Sequence, residues 1–256
     1  MQVALPTGGL SRYKSSSQRA RVVTETWAGT NLYCASCDSP RVETVPPNTP
    51  VIDFVCHRCR ASYQLKCQSR PLAGKIADAG YEKMCEAIRE DRTPNLLAMH
   101  YDPVSWSVRR LILVPRFAFS EAAIEKRKPL RAGARRAGWV GCNILLRNIP
   151  ADARLPVIED GKPADPETVR KRYARLKPLA AIEPRQRGWT LDVLAAVRSL
   201  GKQSFTLADV YSLEREMAQL HPANKHVRDK LRQQLQVLRD ARLLDFVSRG
   251  AYRLHS

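Results

Sequence analysis

The sequence predicts an α+β protein of two domains, and three observations lead to this prediction. Four short strand-like patterns lie between residues 51 and 114 of the 256-residue chain. One Cys-x-x-Cys pair precedes them and a second lies among them. From residue 188 onward the chain changes to amphipathic helical patterns that end in a hairpin. We therefore predict a first domain over residues 1–182 and a second domain over residues 183–256.

The first predicted elements surround the second cysteine pair. Residues 12–27 have a polar start and lead into a short helix. Residues 51–55 (VIDFV) and 61–67 (ASYQLKC) are extended in pattern and flank the turn-like CHRC, which predicts a β-hairpin. Residues 75–91 carry apolar side chains at roughly helical spacing and predict a helix.

The rest of the first domain is predicted to contain more irregular structure. Residues 96–101 (LLAMHY) and 108–114 (VRRLILV) are two further strand candidates. The stretch 120–150 is basic and rich in loop-forming residues. Repeated prolines in residues 155–188 indicate a linker that contains one polar helix at 166–176.

The second domain has the element order of a winged helix, a form of the helix-turn-helix. Thr190 is the predicted N-cap of its first helix, and Thr206, with Asp209 three residues later, is the predicted N-cap of its second. Two short strands follow the third helix and turn at Gly250. The predicted apolar face of the third helix consists of Val227, Leu231, Leu235 and Leu238. A generic small α+β domain is the alternative.

The charge balance predicts a polyanionic partner. Lys and Arg number 43 against 25 Asp and Glu, a formal net charge of +18. Nucleic acid and an anionic membrane surface both fit this excess. No run of about 18 apolar residues exists, which disfavours a membrane protein. The first residues lack the apolar core of a signal peptide, so we expect a cytoplasmic protein whose cysteines are reduced rather than paired in disulfides.

The two cysteine pairs predict a structural zinc site. Cys34 and Cys37 form the first pair, and Cys56 and Cys59 form the second, 18 residues further on. Each pair supplies two thiolates from one tight turn, and two turns complete a tetrahedron around Zn²⁺. Such a site has no open position for substrate. Free thiols or a redox pair are the alternatives.

An acid, an amide and a lysine near the second pair predict a nuclease-type site. Gln64 and Lys66 are two residues apart on one predicted strand and therefore face the same side. Asp53 lies on the strand before it, three residues after Pro50. This pattern resembles that of PD-(D/E)xK nucleases, in which carboxylates hold Mg²⁺ and a lysine stabilises charge on the phosphate. A solvated strand face is the alternative.

Gln64 departs from this pattern, because the pattern has an acid at that position. An amide oxygen can also ligate Mg²⁺, but it is neutral and binds the cation less strongly. Another carboxylate would then compensate, and Glu25 on the preceding helix is the nearest candidate. Alternatively, the protein binds DNA and cuts it poorly or not at all.

Longer segments of the chain resemble the DpnI family of methyl-directed restriction endonucleases. One segment is YKSSSQRARVVTE near the start, and another is the region in which the two cysteine pairs occur in order with PVIDF and LK. The other three segments are RKPLRAGARRAGWVGCNILL, RGWTLDVL and RDKLRQQLQVLRD. They extend in the same order over roughly residues 12–254. The resemblance implies a PD-(D/E)xK catalytic domain with a zinc-knuckle insertion, followed by a winged helix.

The resemblance also implies a function. The family cleaves double-stranded DNA at GATC when the adenine carries an N6-methyl group, and it needs a divalent ion such as Mg²⁺. We therefore expect a bacterial, cytoplasmic enzyme that is a monomer in solution. Carried over by position, Asp53 is the metal-binding acid and Lys66 is the lysine, while the second acid falls on Gln64.

In the first domain, the candidate reader of the methyl group is Trp139, because an aromatic ring is a simple way to build an apolar pocket. Arg135 and Arg136 can contact phosphates or guanine edges, and Gly138 and Gly141 would let the backbone approach the groove. The alternatives are a core tryptophan and a solvated basic loop.

In the winged helix, the third helix is expected to enter the major groove with its N-terminal half nearest the bases. A base or phosphate contact is also expected from Arg249 at the tip of the wing. The polar candidates of the helix are Asn224, Lys225, His226, Arg228, Lys230, Arg232 and Gln233.

Three functions remain open at this point. The first is a Mg²⁺-dependent endonuclease specific for methylated GATC. The second is a methyl-DNA-binding protein with weak or no cleavage, for which Gln64 is the argument. The third is a winged-helix transcription regulator with a structural zinc ribbon, which gives no reason for Asp53 and Lys66 on adjacent strands.

Overall fold

The computed structural model of the protein describes residues 1–46, 49 and 51–255. Pro50, the proline of the nuclease-type pattern, lies outside the described residues. The strands are β1 (Glu43–Thr44), β2 (Phe54–Val55), β3 (Ser62–Gln68), β4 (Lys75–Gly80), β5 (Asn95–Asp102), β6 (Ser107–Val114), β7 (Ile124–Lys126), β8 (Gly141–Leu145), β9 (Leu155–Glu159), β10 (Lys162–Pro163), β11 (Ser204–Thr206), β12 (Leu244–Ser248) and β13 (Ala251–Leu254).

The helices are distributed over both parts of the chain. The α-helices are α1 (Ser16–Asn31), α2 (Tyr81–Arg89), α3 (Pro166–Leu176), α4 (Pro184–Ser199), α5 (Leu207–Tyr211), α6 (Glu214–Leu220) and α7 (Val227–Asp240). Short 3₁₀ turns span Leu10–Arg12, Arg116–Ala118, Glu121–Ala123, Leu146–Asn148, Ala151–Ala153 and Lys177–Ala181. Across the described ranges, none of these helices has both the length and the apolar character that crossing a membrane requires.

A mixed sheet forms the centre of the larger part of the molecule. Its order, in the residues that the structure describes, is β1-β2-β3-β5-β6-β9-β10. β2 and β3 pair antiparallel, which confirms the predicted hairpin around CHRC. β3 and β5 pair in parallel, with Gln64 opposite Leu96 and Lys66 opposite Ala98. The predicted strands at 96–101 and 108–114 are confirmed as β5 and β6.

A smaller sheet of β4, β8 and β7 corrects two predictions. The predicted helix over 75–91 is a helix only from Tyr81 onward, and its first part is β4. In β4, Ile76 and Asp78 are buried while Lys75 and Ala77 are exposed, which is the two-residue alternation of a strand. β7 and β8 likewise lie within the stretch predicted to be loops.

The predicted linker over residues 155–188 is wrong, since β9 is an integral strand of the large sheet. Leu155, Val157 and Ile158 are buried there. Pro156 lies opposite Ile112, beside an irregularity in the pairing of β6 and β9, which is where a strand tolerates a residue without an N–H. The helix predicted at 166–176 is confirmed as α3.

The last part of the chain contains helices and a three-stranded sheet of order β11-β13-β12, within the described residues. The predicted N-cap at Thr190 is wrong, because α4 already begins at Pro184, a residue well suited to a first helical turn. Thr206 and Asp209 form the predicted capping box at the start of α5. The predicted apolar face of α7 is buried, as expected for a helix packed on α4.

Two buried polar links join this part to the rest of the molecule through α4. Arg187 is 2% exposed and pairs with Asp91, which follows α2. Ser120 Oγ donates a 2.7 Å hydrogen bond to Asp192, which is also buried. Because buried polar groups need specific partners, these links fix α4 against the larger part.

Candidate active site and DNA-binding surface

Asp53 lies where the β2–β3 hairpin opens. β2 covers β3 only at Ser62 and Tyr63, so the backbone of β3 beyond Tyr63 has no β2 partner. The Asp53 amide donates to Tyr63 O at 2.9 Å, and its carboxylate Oδ2 accepts a hydrogen bond of 2.7 Å from the Leu65 amide. Leu65 lies between the two other candidate residues in β3, so the carboxylate is anchored to the strand that carries both of them.

Charges and burial act together on the Asp53 carboxyl. Its pKa is raised above the ordinary value, first by burial and then by the nearby Glu25, while the Leu65 amide, Lys66 and Arg21 oppose the shift. Glu25 is thus part of the same electrostatic neighbourhood, as the sequence suggested. Its carboxylate pairs with Arg21 at 2.8 Å.

Gln64 and Lys66 point to one side of β3, and the two side chains differ in their partners. Gln64 is 8% exposed, and the described residues provide no hydrogen-bond partner for its side-chain amide. Lys66 Nζ lies 2.6 Å from Asp78 Oδ1 on β4. Sequence reasoning missed Asp78 because it assigned this segment to a helix. The alternation in KIADAG is the signal that could have found it.

An open groove of about 830 Å³ lies between α1, β3 and β4; β3 contributes Leu65, Cys67 and Gln68 to its wall, whereas Asp53, Gln64 and Lys66 are not among its lining residues. Glu25 and Leu65, the two neighbours of Asp53, are both part of its wall. Several of the other lining residues are basic or small, a composition compatible with an extended anion. They include Arg21, Arg70, Lys75, Ala73 and Ala77.

The four cysteines of the two pairs form one cluster. Their Sγ atoms all lie within 4.8 Å of one another, with 3.5 Å between Cys34 and Cys59 and 3.6 Å between Cys37 and Cys56. The edge of a tetrahedron with Zn–S bonds of about 2.3 Å is roughly 3.8 Å, so four thiolates here fit a tetrahedral metal ion. The cluster can therefore bind zinc.

The cluster is connected to the candidate active site by the hairpin itself. Cys56 and Cys59 belong to the turn between β2 and β3. Tyr63 on β3 is buried, and its hydroxyl lies 3.2 Å from Cys34 Sγ and accepts a hydrogen bond of 3.1 Å from the Ala35 amide. A metal ion in the cluster would thus fix the strand that carries Gln64 and Lys66.

Trp139 is not a core tryptophan, because its side chain is only partly buried in an exposed loop. The guanidinium of Arg136 lies 4.6 Å from its ring centroid. Gly138 has a φ of 78°, a turn conformation that glycine adopts without strain. Gly141 is buried beneath the Trp139 ring, so the expectation that it lets the backbone approach DNA is wrong.

The loop around Trp139 is strongly basic. Five of its cations are exposed, and none of them forms an ion pair with a described acid. They are Arg127, Lys128, Arg131, Arg135 and Arg136. A surface of this kind attracts phosphates.

Of the predicted DNA-contacting residues of the third helix, Asn224, Lys225 and His226 precede α7, and the others lie in its first two turns. The Asn224 side chain accepts a hydrogen bond of 2.7 Å from the His226 backbone amide and so stabilises the turn before α7. Arg228 pairs with Glu214, and Arg232 pairs with Asp229. Lys230 Nζ donates to Gln233 at 2.8 Å. Lys225 and the turn residue Arg249 are exposed.

Two aromatic residues near α7 were not predicted. Tyr211 lies beneath Arg228 and Arg232, whose guanidinium groups are 5.1 and 5.9 Å from the ring centroid. Trp189 stacks on His221 with 3.6 Å between ring centroids. Both are single aromatic residues in helices, and the sequence gives no spacing that separates them from core residues.

Comparison with protein-family models gives two matches along the chain. Residues 1–182 match a family described as the Dam-replacing family, with the family name DpnI. Residues 185–254 match its helix-turn-helix domain, described as the Dam-replacing HTH domain.

Proposed function

The chain belongs to the DpnI, or Dam-replacing, family, and from this membership we propose that it is a Mg²⁺-dependent endonuclease that cleaves double-stranded DNA at N6-adenine-methylated GATC. The observation that carries the proposal is the anchoring of the Asp53 carboxylate to the Leu65 amide. This hydrogen bond holds the acid beside Gln64 and Lys66 on a strand of a mixed sheet. Such an arrangement supports PD-(D/E)xK chemistry.

Asp53 and Gln64 would hold the divalent ion. The Asp53 carboxylate has a second oxygen beyond the one that accepts from Leu65, and the Gln64 amide oxygen has no described partner. Both donors are oxygens, which Mg²⁺ prefers. When bound, the ion would polarise the scissile phosphate and lower the pKa of a water. Glu25 is close enough to add negative charge to the site.

Lys66 would supply positive charge to the reacting phosphate. Its side chain is 27% exposed, so part of it is in contact with solvent although most of it is buried. A cation fixed near the phosphate stabilises the negative charge that builds up in the transition state. The adjoining groove, with Arg21, Arg70 and Lys75 in its wall, would carry the DNA backbone.

The remaining assignments of residues and domains are parts of the same proposal. We assign Zn²⁺ to the four-cysteine cluster as a structural ion. We divide the chain into a catalytic domain over residues 1–182 and a winged-helix domain over residues 183–256. Trp139 would contact the methyl group. Phosphate or base contacts would come from Arg135, Arg136, Asn224, Lys225, His226, Arg228, Lys230, Arg232, Gln233 and Arg249.

One assay tests the proposal directly. The protein is incubated with Mg²⁺ and plasmid from a strain that methylates adenine in GATC, and in parallel with unmethylated plasmid. We expect cutting of the methylated plasmid alone. Lys66→Ala is the matched inactive control, and we expect it to bind methylated DNA with nearly unchanged affinity. Equal cutting of both plasmids would contradict the methyl specificity.

A second candidate function is a methyl-DNA-binding protein with little or no cleavage. The observation that favours it is Gln64, a neutral residue where the nuclease pattern has an acid. The same assay distinguishes the two functions. Retardation of methylated DNA in a gel, without cutting at any Mg²⁺ concentration, would support the binding protein.

A further inference from the structure

We infer that Asp78 is a positioning residue of the active site, which orients the Lys66 ammonium toward the reacting phosphate. This inference rests on the proposed nuclease function and extends it to a residue outside the Asp53, Gln64 and Lys66 pattern. The contact that carries it is the 2.6 Å distance between Lys66 Nζ and Asp78 Oδ1.

The two partners differ sharply in their environment. The Asp78 side chain is 1% exposed, whereas that of Lys66 is 27% exposed. Neither Asp78 oxygen has another hydrogen-bond partner among the described residues. The carboxylate therefore depends on Lys66, whose ammonium lies against it while part of the lysine side chain stays exposed.

The surroundings of Asp78 make the burial of its carboxylate energetically unfavourable. Ile76 on the same strand is buried, and so is Cys142 on β8. The pKa of the Cys142 thiol is raised to about 12, first by burial and second by the charge of Asp78, which places that charge in an otherwise poorly solvated site. A buried ion pair is often no more stable than an apolar pair of the same size. Stability alone therefore gives little reason for an acid here.

Gln64 gives a functional reason. In the nuclease pattern an acid at that position would place a carboxylate on the same face of the strand as the lysine. The neutral amide cannot provide this charge, and Asp78 on β4 is the acid that the structure pairs with Lys66. Lys66 is thereby fixed between two sheets rather than by its own strand alone. A fixed cation keeps its geometry when the phosphate arrives.

The experiment compares the wild type with Asp78→Asn, which keeps the shape of the side chain and removes its charge. We expect the single-turnover rate on methylated plasmid to fall by about 10- to 100-fold, because displacement of a catalytic group by about 1 Å has effects of this size. Affinity for methylated DNA should stay within about twofold, as expected when a change affects only the reacting step. Glu159→Gln is the control, since it removes an exposed ion pair, with Arg110 at 3.1 Å, whose residues do not line the groove, and we expect it to leave the rate unchanged.

A double-mutant cycle separates positioning from general stability. Lys66→Met should lower the urea midpoint, because it leaves the Asp78 charge buried without a partner, and adding Asp78→Asn should recover part of that loss. Recovery together with a loss of rate at unchanged affinity supports the inference. Additive effects of the two substitutions on the urea midpoint would overturn the inference. So would a normal rate in Asp78→Asn, or a loss of affinity in Asp78→Asn that parallels its loss of rate. A wild type that cuts no methylated DNA would instead refute the proposed function.

Discussion

The Asp53 carboxylate accepts a hydrogen bond from the backbone amide of Leu65, and no side chain among the described residues donates to it. A backbone donor has a position set by the strand, so the acid keeps its place whichever way neighbouring side chains turn. The same contact opposes the effect of burial on the Asp53 pKa but does not cancel it, since that pKa remains raised.

Cleavage should therefore fall with decreasing pH earlier than it would for an ordinary aspartate. The Asp53 carboxyl must be ionised to hold a cation, and its raised pKa means that protonation begins above the usual value of 3.8. The measurement is the single-turnover rate between pH 4 and 8 at a Mg²⁺ concentration well below saturation, where protons compete with the cation for the carboxylate. A rate that stays flat down to the ordinary aspartate range would contradict the raised pKa.

Asp53→Asn should separate activity from stability. A carboxylate with a raised pKa in the folded state costs stability as the pH rises through that window, and the neutral amide removes this cost at pH 7. The Asn oxygen can still accept from the Leu65 amide. We expect cleavage to drop by at least about 100-fold, with an unchanged or slightly higher urea midpoint. A clearly lower midpoint would show that the charge itself supports the fold.

Gln64→Glu should strengthen the use of Mg²⁺. It adds a charged oxygen ligand next to Asp53, and the affinity of such sites increases with ligand charge, here by about tenfold. The measurement is the Mg²⁺ concentration for half-maximal cleavage, with the affinity for methylated DNA in the absence of Mg²⁺ as the control. If the variant stops cutting, the neutral amide has a specific role in this chain.

The sequence predicts the local parts of the site because their signals are short in range. The spacing of Cys34, Cys37, Cys56 and Cys59 fixes a metal-type cluster, and the hairpin around CHRC brings Asp53 beside Leu65. Each of these contacts is formed by short segments that contain a tight turn or a single hairpin. The capping box at Thr206 is predicted for the same reason.

The structure was needed for contacts between distant segments. Apolar residues in KIADAGYEKM fit both helical and strand spacing, and the pairing of β4 with β8, more than 60 residues later, decides the outcome. The alternation in KIADAG is compatible with a strand, but the partner of Asp78 could not be identified until that pairing was known. Pro156 is predicted to lie in a linker for the same reason. It lies in a strand because an irregularity in the pairing of β6 and β9, visible only in the folded sheet, accommodates a proline.

Loss of the metal cluster should disable the enzyme through the hairpin. Cys56→Ser removes one ligand from the turn between β2 and β3, and structural zinc sites contribute on the order of several kcal/mol to folding. We expect less than one zinc per chain by mass spectrometry of the metal content, a lower urea midpoint and loss of cleavage. Cys85→Ser, outside the cluster, should keep its zinc. Full activity of metal-free Cys56→Ser would exclude the proposed support.

Gly141→Ala should weaken the reading of the methyl group without removing the aromatic ring. A Cβ at this position would lie 2.8 Å from two atoms of the Trp139 ring, so the ring must move. We expect the ratio of affinities for methylated and unmethylated GATC duplexes to fall by about tenfold, and further in Trp139→Ala, since an apolar methyl contact is worth roughly 1–2 kcal/mol. Arg131→Ala in the same loop should lower both affinities and leave their ratio unchanged.

Binding should depend steeply on salt, because the exposed cations of the Trp139 loop and of the helix-turn-helix domain meet phosphates. If about 6 to 10 phosphates are contacted, affinity should decrease by about 10³- to 10⁵-fold between 50 and 200 mM salt. Arg249 is exposed at the β12–β13 turn and pairs with no described acid, so Arg249→Ala should reduce the slope of log affinity against log salt by about one. Lys202→Ala is the control, because Asp209 already neutralises that lysine at 2.7 Å. An unchanged slope in Arg249→Ala would place the turn away from the DNA backbone.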